Sequence, residues 1–70
     1  MRAKLAPMNR AQCQSLKKLY RRLGQMDPPR DEQTYRQFRQ SVKWAYIDGC
    51  VMVFWCNMWI GIETDGYTHS

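Results

Sequence analysis

The sequence predicts an α+β fold: two amphipathic helices followed by a β-hairpin (α-α-β-β), in a single small domain. Three observations carry this. Residues 10–23 repeat apolar side chains at helical spacing behind a good N-cap. A second stripe of the same period starts at Tyr35, after Pro28-Pro29. The run CVMVFWCNMWIGIE, residues 50–63, is dense in β-formers and has Asn57 in its middle.

Residues 1–8 read as an N-terminal extension and 9–70 as the domain, because Pro7 stops a helix from the left. Met8 is an alternative translation start. Asn9 caps the first helix, Arg10 to Leu23, and Gln12 completes a capping box. Met8 and Cys13 stand where a hydrophobic staple closes. Cys13, Leu16, Leu19, Tyr20 and Leu23 share one face, and Arg10, Lys17, Lys18, Arg21 and Arg22 the other. Gly24 is placed as the C-cap.

Gln25 to Asp31 is a linker that its two prolines keep out of a helix. The second helix starts with Asp31 as cap, or later with Thr34 and Gln37 as a capping box. Tyr35, Phe38, Val42, Ala45 and Tyr46 form its apolar stripe, with Arg36, Arg39 and Lys43 beside them. Its end falls between Lys43 and Tyr46, since Trp44, Tyr46 and Ile47 suit a strand equally well. Asp48-Gly49 terminates it. Strands follow at Cys50 to Cys56 and Met58 to Glu63, with Asn57 as the turn residue. Asp65-Gly66 makes another turn before a short tail, Tyr67 to Ser70.

Both faces of this hairpin are apolar. Cys50, Met52, Phe54 and Cys56 alternate with Val51, Val53 and Trp55, and Ile60 and Ile62 with Trp59, Gly61 and Glu63. Two short helices cover one face, so the other is left over, and a large exposed apolar surface marks an interaction site. The candidate protein interface is Phe54, Trp55, Trp59 and Tyr67. A chain of 70 residues buries only about 60% of its unfolded surface, so a partner chain is a natural source of further stability.

Charge is divided along the chain. Residues 1–43 hold all eleven lysines and arginines against three acids, whereas residues 44–70 hold only three acids. Lys17, Lys18, Arg21, Arg22, Arg36, Arg39 and Lys43 form one basic surface if the helices pack side by side, the alternative nucleic-acid site. A helix-turn-helix is not matched, because the connection is too long and no ordered base-reading pattern follows it.

Other chemistries find little support. Cys13, Cys50, Cys56 and His69 are possible metal ligands, but no C-x-x-C occurs. Cys50 and Cys56 lie roughly 20 Å apart along one strand, too far for a shared zinc or a disulfide. Three cysteines make no closed disulfide set. No metal, cofactor or small-molecule substrate is expected. With one histidine, placed near the end of the chain as a solvated tail residue, and no P-loop, dinucleotide or nucleophile-elbow motif, an enzyme is not expected either. Asp65 with His69, and Cys56 with His69, are the only pairings with acid–base or nucleophilic potential. Residues 44–62 form a mostly apolar stretch of spanning length, yet Asp48 would cost about 2.5–3.5 kcal/mol at a bilayer centre, so membrane insertion is disfavoured.

The segment VMVFWCNMWIGIETDGYTHS, Val51 to Ser70, resembles the end of a group of small proteins encoded by tailed bacteriophages. The shared pattern is close to V-M-V-x-W-C-x-M-W-x-G-I-E-x-D-G-Y-T-H-S. Residues 35–39, YRQFR, and the Asn9-Arg10 start are similar as well, whereas residues 1–7 depart from it. The resemblance implies a phage origin and a location in the host bacterial cytoplasm or the virion. It transfers no functional residue. In that setting the expected roles are those of a binder: a virion or assembly component, or an inhibitor of a host enzyme or defence complex.

Overall fold

A computed structural model describes residues 8–26 and 34–70. Two helices precede an antiparallel sheet of four strands: α1 Arg10–Gly24, α2 Tyr35–Ser41, β1 Trp44–Ile47, β2 Cys50–Trp55, β3 Met58–Ile62 and β4 Thr68–His69. The strands lie in chain order. The class is α+β as the sequence predicts, but the predicted two-stranded hairpin is the centre of a four-stranded meander.

α1 begins as its sequence dictates. The Asn9 side chain accepts from the Gln12 backbone N–H, 2.8 Å, and Gln12 Oε1 accepts from the Asn9 N–H, 3.1 Å. The C-terminus differs from expectation. Gly24 is still helical and Gln25, in right-handed geometry, closes the helix by donating to the Arg22 carbonyl, while the Met26 N–H donates to the Leu23 carbonyl. No left-handed residue is needed there, so glycine's special freedom is not used. Asp31, one predicted start of the second helix, lies outside the described residues, as do both prolines of the linker. α2 is capped by Thr34, with the Thr34–Gln37 box formed in both directions.

α2 ends at Ser41, and Val42 is already extended. The apolar stripe continued numerically through Ala45 and Tyr46, but these residues belong to β1. Two physical reasons override the helical period. Trp44, Tyr46 and Ile47 are strand formers. Asp48 and Gly49 both take positive φ, 48° and 83°, which makes Asp-Gly a two-residue hairpin turn between Ile47 and Cys50 rather than a helix stop. Cys56 and Asn57 repeat this geometry, with φ of 50° and 67°, so the second turn takes two residues and β2 ends at Trp55.

A further correction concerns the end of the chain. Residues read as a tail return along β3, pairing Gly61 with His69 and Ile62 with Thr68. The loop that returns them rests on α1. Gly66, at φ 89°, sits so close that an added Cβ would lie 3.0 Å from the Ala11 carbonyl oxygen and 3.1 Å from Ser15 Oγ.

The register assigns every strand residue to a face. Facing the helices are Trp44 beside Val53 beside Ile60, and Tyr46 beside Val51 beside Ile62. Leu16, Leu19, Leu23 and Phe38 close over Val51, Val53, Ile60 and Ile62, completing the buried core; Trp44 packs against it, and Tyr46 at the edge strand stays exposed. Gln12, 2% exposed, pins the helix to the sheet: its amide donates to the Gly49 carbonyl at 2.9 Å and the Ile62 carbonyl at 3.1 Å. With its Oε1 on Asn9, this buried polar side chain is fully engaged. Among the described residues no helix is long and apolar enough to cross a membrane; residues 44–62 form β1 to β3.

Candidate functional site: the outer face of the sheet

The side of the sheet away from the helices follows from the same register. One row runs Ala45, Met52, Gly61, His69, and a second pairs Phe54 with Trp59. Ile47 and Cys50 form a third at the β1–β2 turn. Phe54 and Trp59 pack as tilted rings with centroids 5.4 Å apart, within the range favoured by aromatic quadrupoles. Tyr67 stacks on His69 at 6.4 Å and 24°. Trp59 is 44% exposed, Ile47 58% and Tyr67 67%. The core and its partly buried neighbours include none of Ile47, Phe54, Trp59 or Tyr67. Among the described residues no element covers this face.

Trp55 is the exception among the predicted interface residues. It is half-buried on the helix side, packs against the core and donates its indole N–H to the Leu19 carbonyl, 3.0 Å. Its role is to tie α1 to β2. The structure therefore brings Phe54 and Trp59 together, sets Tyr67 on the same side next to His69, and separates Trp55 from all three. Ile47 also stands on the exposed face; the sequence suits it to a strand but, with the end of the second helix open between Lys43 and Tyr46, assigns it to no site. The Asp48-Gly49 hairpin signal would have found it.

Most of the seven basic residues lie on the two helices. Lys17 from α1 and Arg39 from α2 both approach the Tyr35 ring, at 5.4 and 5.9 Å from its centroid. Burial of Tyr35 pushes its phenol above the ordinary 10.0, partly offset by the charge of Arg39. Lys18, Arg21, Arg22 and Arg36 are exposed on these helices. Lys43 departs from the group: it lies beyond α2, with its ammonium 5.8 Å from the Phe54 ring centroid. A shallow cleft beside it is lined by Leu23, Phe38, Val42, Phe54, Trp55 and Cys56 together with Ser41 and Lys43.

The histidine is exposed as expected, but it belongs to a strand and not to a free tail. His69 Nε2 donates to Glu63 Oε2 at 2.6 Å. Neither partner expected for it is the one observed: Asp65 instead accepts from the Tyr67 N–H, 2.9 Å, and Cys56 lies in the β2–β3 turn, its thiol 4.0 Å from Met26 Sδ. Beside the Glu63–His69 pair is Cys50, and the ligand atoms of Cys50, Glu63 and His69 all lie within 4.8 Å of one another. Partial burial, and then the neighbouring Glu63 carboxylate, push the Cys50 thiol up. Spacing along one strand could not reveal this trio, because the β3–β4 return assembles it across strands.

Family models, curated proteins and solved structures were compared with this chain, and none matches.

Proposed function

We propose that the protein is a non-enzymatic interaction protein that binds protein through the outer face of its sheet, with Phe54, Trp59, Tyr67 and Ile47 as contact residues. One observation carries the reading: large apolar side chains stand exposed on a face that no described element covers, although eight other apolar residues are fully committed to the core. Trp and Tyr are among the residues that dominate binding energy at protein interfaces. A second copy of this chain is the occupant that fits best. Two copies meeting outer face to outer face bury the aromatics and keep the basic helices on the outside of the pair. Such an isologous contact is the commonest way that identical chains associate.

The resemblance of residues 51–70 to small phage proteins favours a setting in phage biology, in the host bacterial cytoplasm or the virion. Virion assembly and inhibition of a host enzyme or defence complex are both served by such a surface, without a small-molecule substrate. A second reading has its own observation. The exposed lysines and arginines of α1 and α2 meet no carboxylate in a salt bridge among the described residues. That surface suits the phosphates of a nucleic acid.

Paired variants separate the readings. Trp59→Ala is expected to weaken self-association at least about tenfold, a loss typical of an interface hot spot, while the chain stays folded because Trp59 lies outside the core. Lys18→Glu with Arg22→Glu is expected to leave association intact. Loss of association with the charge reversal, and retention with Trp59→Ala, would transfer the function to the helices.

A further inference from the structure

The Cys50–Glu63–His69 trio does not depend on the apolar surface, and it has the composition of a metal centre. We propose that Cys50 Sγ, Glu63 Oε2 and His69 Nε2 form a site for a thiophilic divalent cation of the zinc class.

The donors come from three successive segments. Cys50 opens β2 just after the Asp48-Gly49 turn, Glu63 follows β3, and His69 is held in β4 by its pairing with Gly61. All three ligand atoms lie within 4.8 Å of one another. In a tetrahedral site with bonds of about 2.0–2.3 Å, such atoms stand about 3.3–3.8 Å apart. Only side-chain adjustment is then required: the 2.6 Å contact between His69 and Glu63 opens as a cation enters between them. Gly61 provides the seat. A Cβ there would lie 2.7 and 2.8 Å from His69 Cε1 and Nε2 and 3.1 Å from Met52 Sδ, so the imidazole lies over the bare glycine.

The mixed donor set selects the ion. One thiolate, one imidazole and one carboxylate suit zinc or cobalt; magnesium and calcium require oxygen throughout. Three protein ligands leave a fourth tetrahedral position for water or for a donor from a docked molecule. Two protons leave the donor atoms. Cys50 loses its proton to solvent as the sulfur–metal bond forms. His69 gives up the proton that Nε2 shares with Glu63 and carries its N–H on Nδ1, so the Glu63–His69 hydrogen bond is exchanged for two metal bonds.

Cobalt(II) titration of the full chain under reducing conditions tests this. One equivalent is expected to produce a thiolate-to-cobalt charge-transfer band together with tetrahedral visible bands, and zinc is expected to displace it. Cys50→Ser should abolish the charge-transfer band, whereas Cys13→Ser with Cys56→Ser should retain it. His69→Ala should weaken binding by more than the about 10–100-fold that loss of an outer-shell partner costs. His69 is half-exposed, so this variant keeps its fold and guards against misreading a collapsed Cys50 variant. In thermal unfolding, zinc should raise Tm of the parent and leave that of His69→Ala unchanged. No charge-transfer band at saturating cobalt, or equal bands in the parent and Cys50→Ser, would overturn the site. Either result leaves the self-association reading untouched, because that is measured without metal.

Discussion

Gln12 is the residue on which the two layers depend most directly. Its amide spans from the first turn of α1 to the carbonyls of Gly49 and Ile62, at 2% exposure. Gln12→Leu keeps the bulk and removes the donors that the Gly49 and Ile62 carbonyls accept from. The expected loss is about 1–3 kcal/mol, read from the urea midpoint, the cost of removing the partner of a buried polar group. A variant as stable as the parent would mean that water takes over both carbonyls. Tyr35 gives a prediction in pH. Burial raises its pKa above 10.0, so the folded chain holds the phenolic proton longer than the unfolded chain does. This contribution is fully present below pH 10 and is lost as pH rises through the folded-state value. Tyr35→Phe should lose less stability than the parent on passing into strongly alkaline solution, by chemical denaturation at matched pH. The capping role of Gln12 is legible from its spacing to Asn9. Its second role, against carbonyls 37 and 50 positions away, depends on topology and was hidden.

At the scale of elements, local signals were readable wherever one physical rule acted alone. Asn9 with Gln12 and Thr34 with Gln37 start the helices as their spacing requires. Alternation in residues 51–62 separated Val51 and Val53 from Phe54, and the structure keeps that separation. Two rules competed at Trp44 to Ile47. The helical period extended through Ala45 and Tyr46, but Asp48-Gly49 demanded a hairpin, and pairing with the open edge of β2 decided the outcome. β4 was invisible for a related reason: two residues carry no periodicity, and only pairing with β3 makes them a strand. The β1–β2 turn is therefore a strong point of test. Gly49→Ala places a Cβ in ordinary contact with Thr64, 3.4 Å away, but at φ 83°. It should lower stability by about 1–2 kcal/mol from left-handed strain alone. No loss would indicate that the turn adopts another geometry in solution.

The whole molecule is a sheet with two unlike sides. Helices with a basic exterior cover one, and a half-exposed aromatic and sulfur-bearing surface forms the other. The leftover face was legible from alternation, because both sets of strand residues were apolar and two short helices can cover only one. Its membership was not fully legible. Trp55 had to be on the helix side by register, yet its aromatic character grouped it with Phe54 and Trp59; the hydrogen bond to Leu19 shows what it does instead. Burial of the outer face in a pair would supply apolar area that a chain of this length cannot bury alone. Such an interface is held by the hydrophobic effect and resists salt, whereas phosphate binding by the helices weakens steeply with it. The mass of the purified chain by light scattering at low and high salt, with ultraviolet absorbance monitoring nucleic acid in the same peak, distinguishes the two. An oligomer that persists at high salt and carries no nucleic acid is the predicted result; a monomer, above all one that arrives with nucleic acid and sheds it as salt rises, would contradict it.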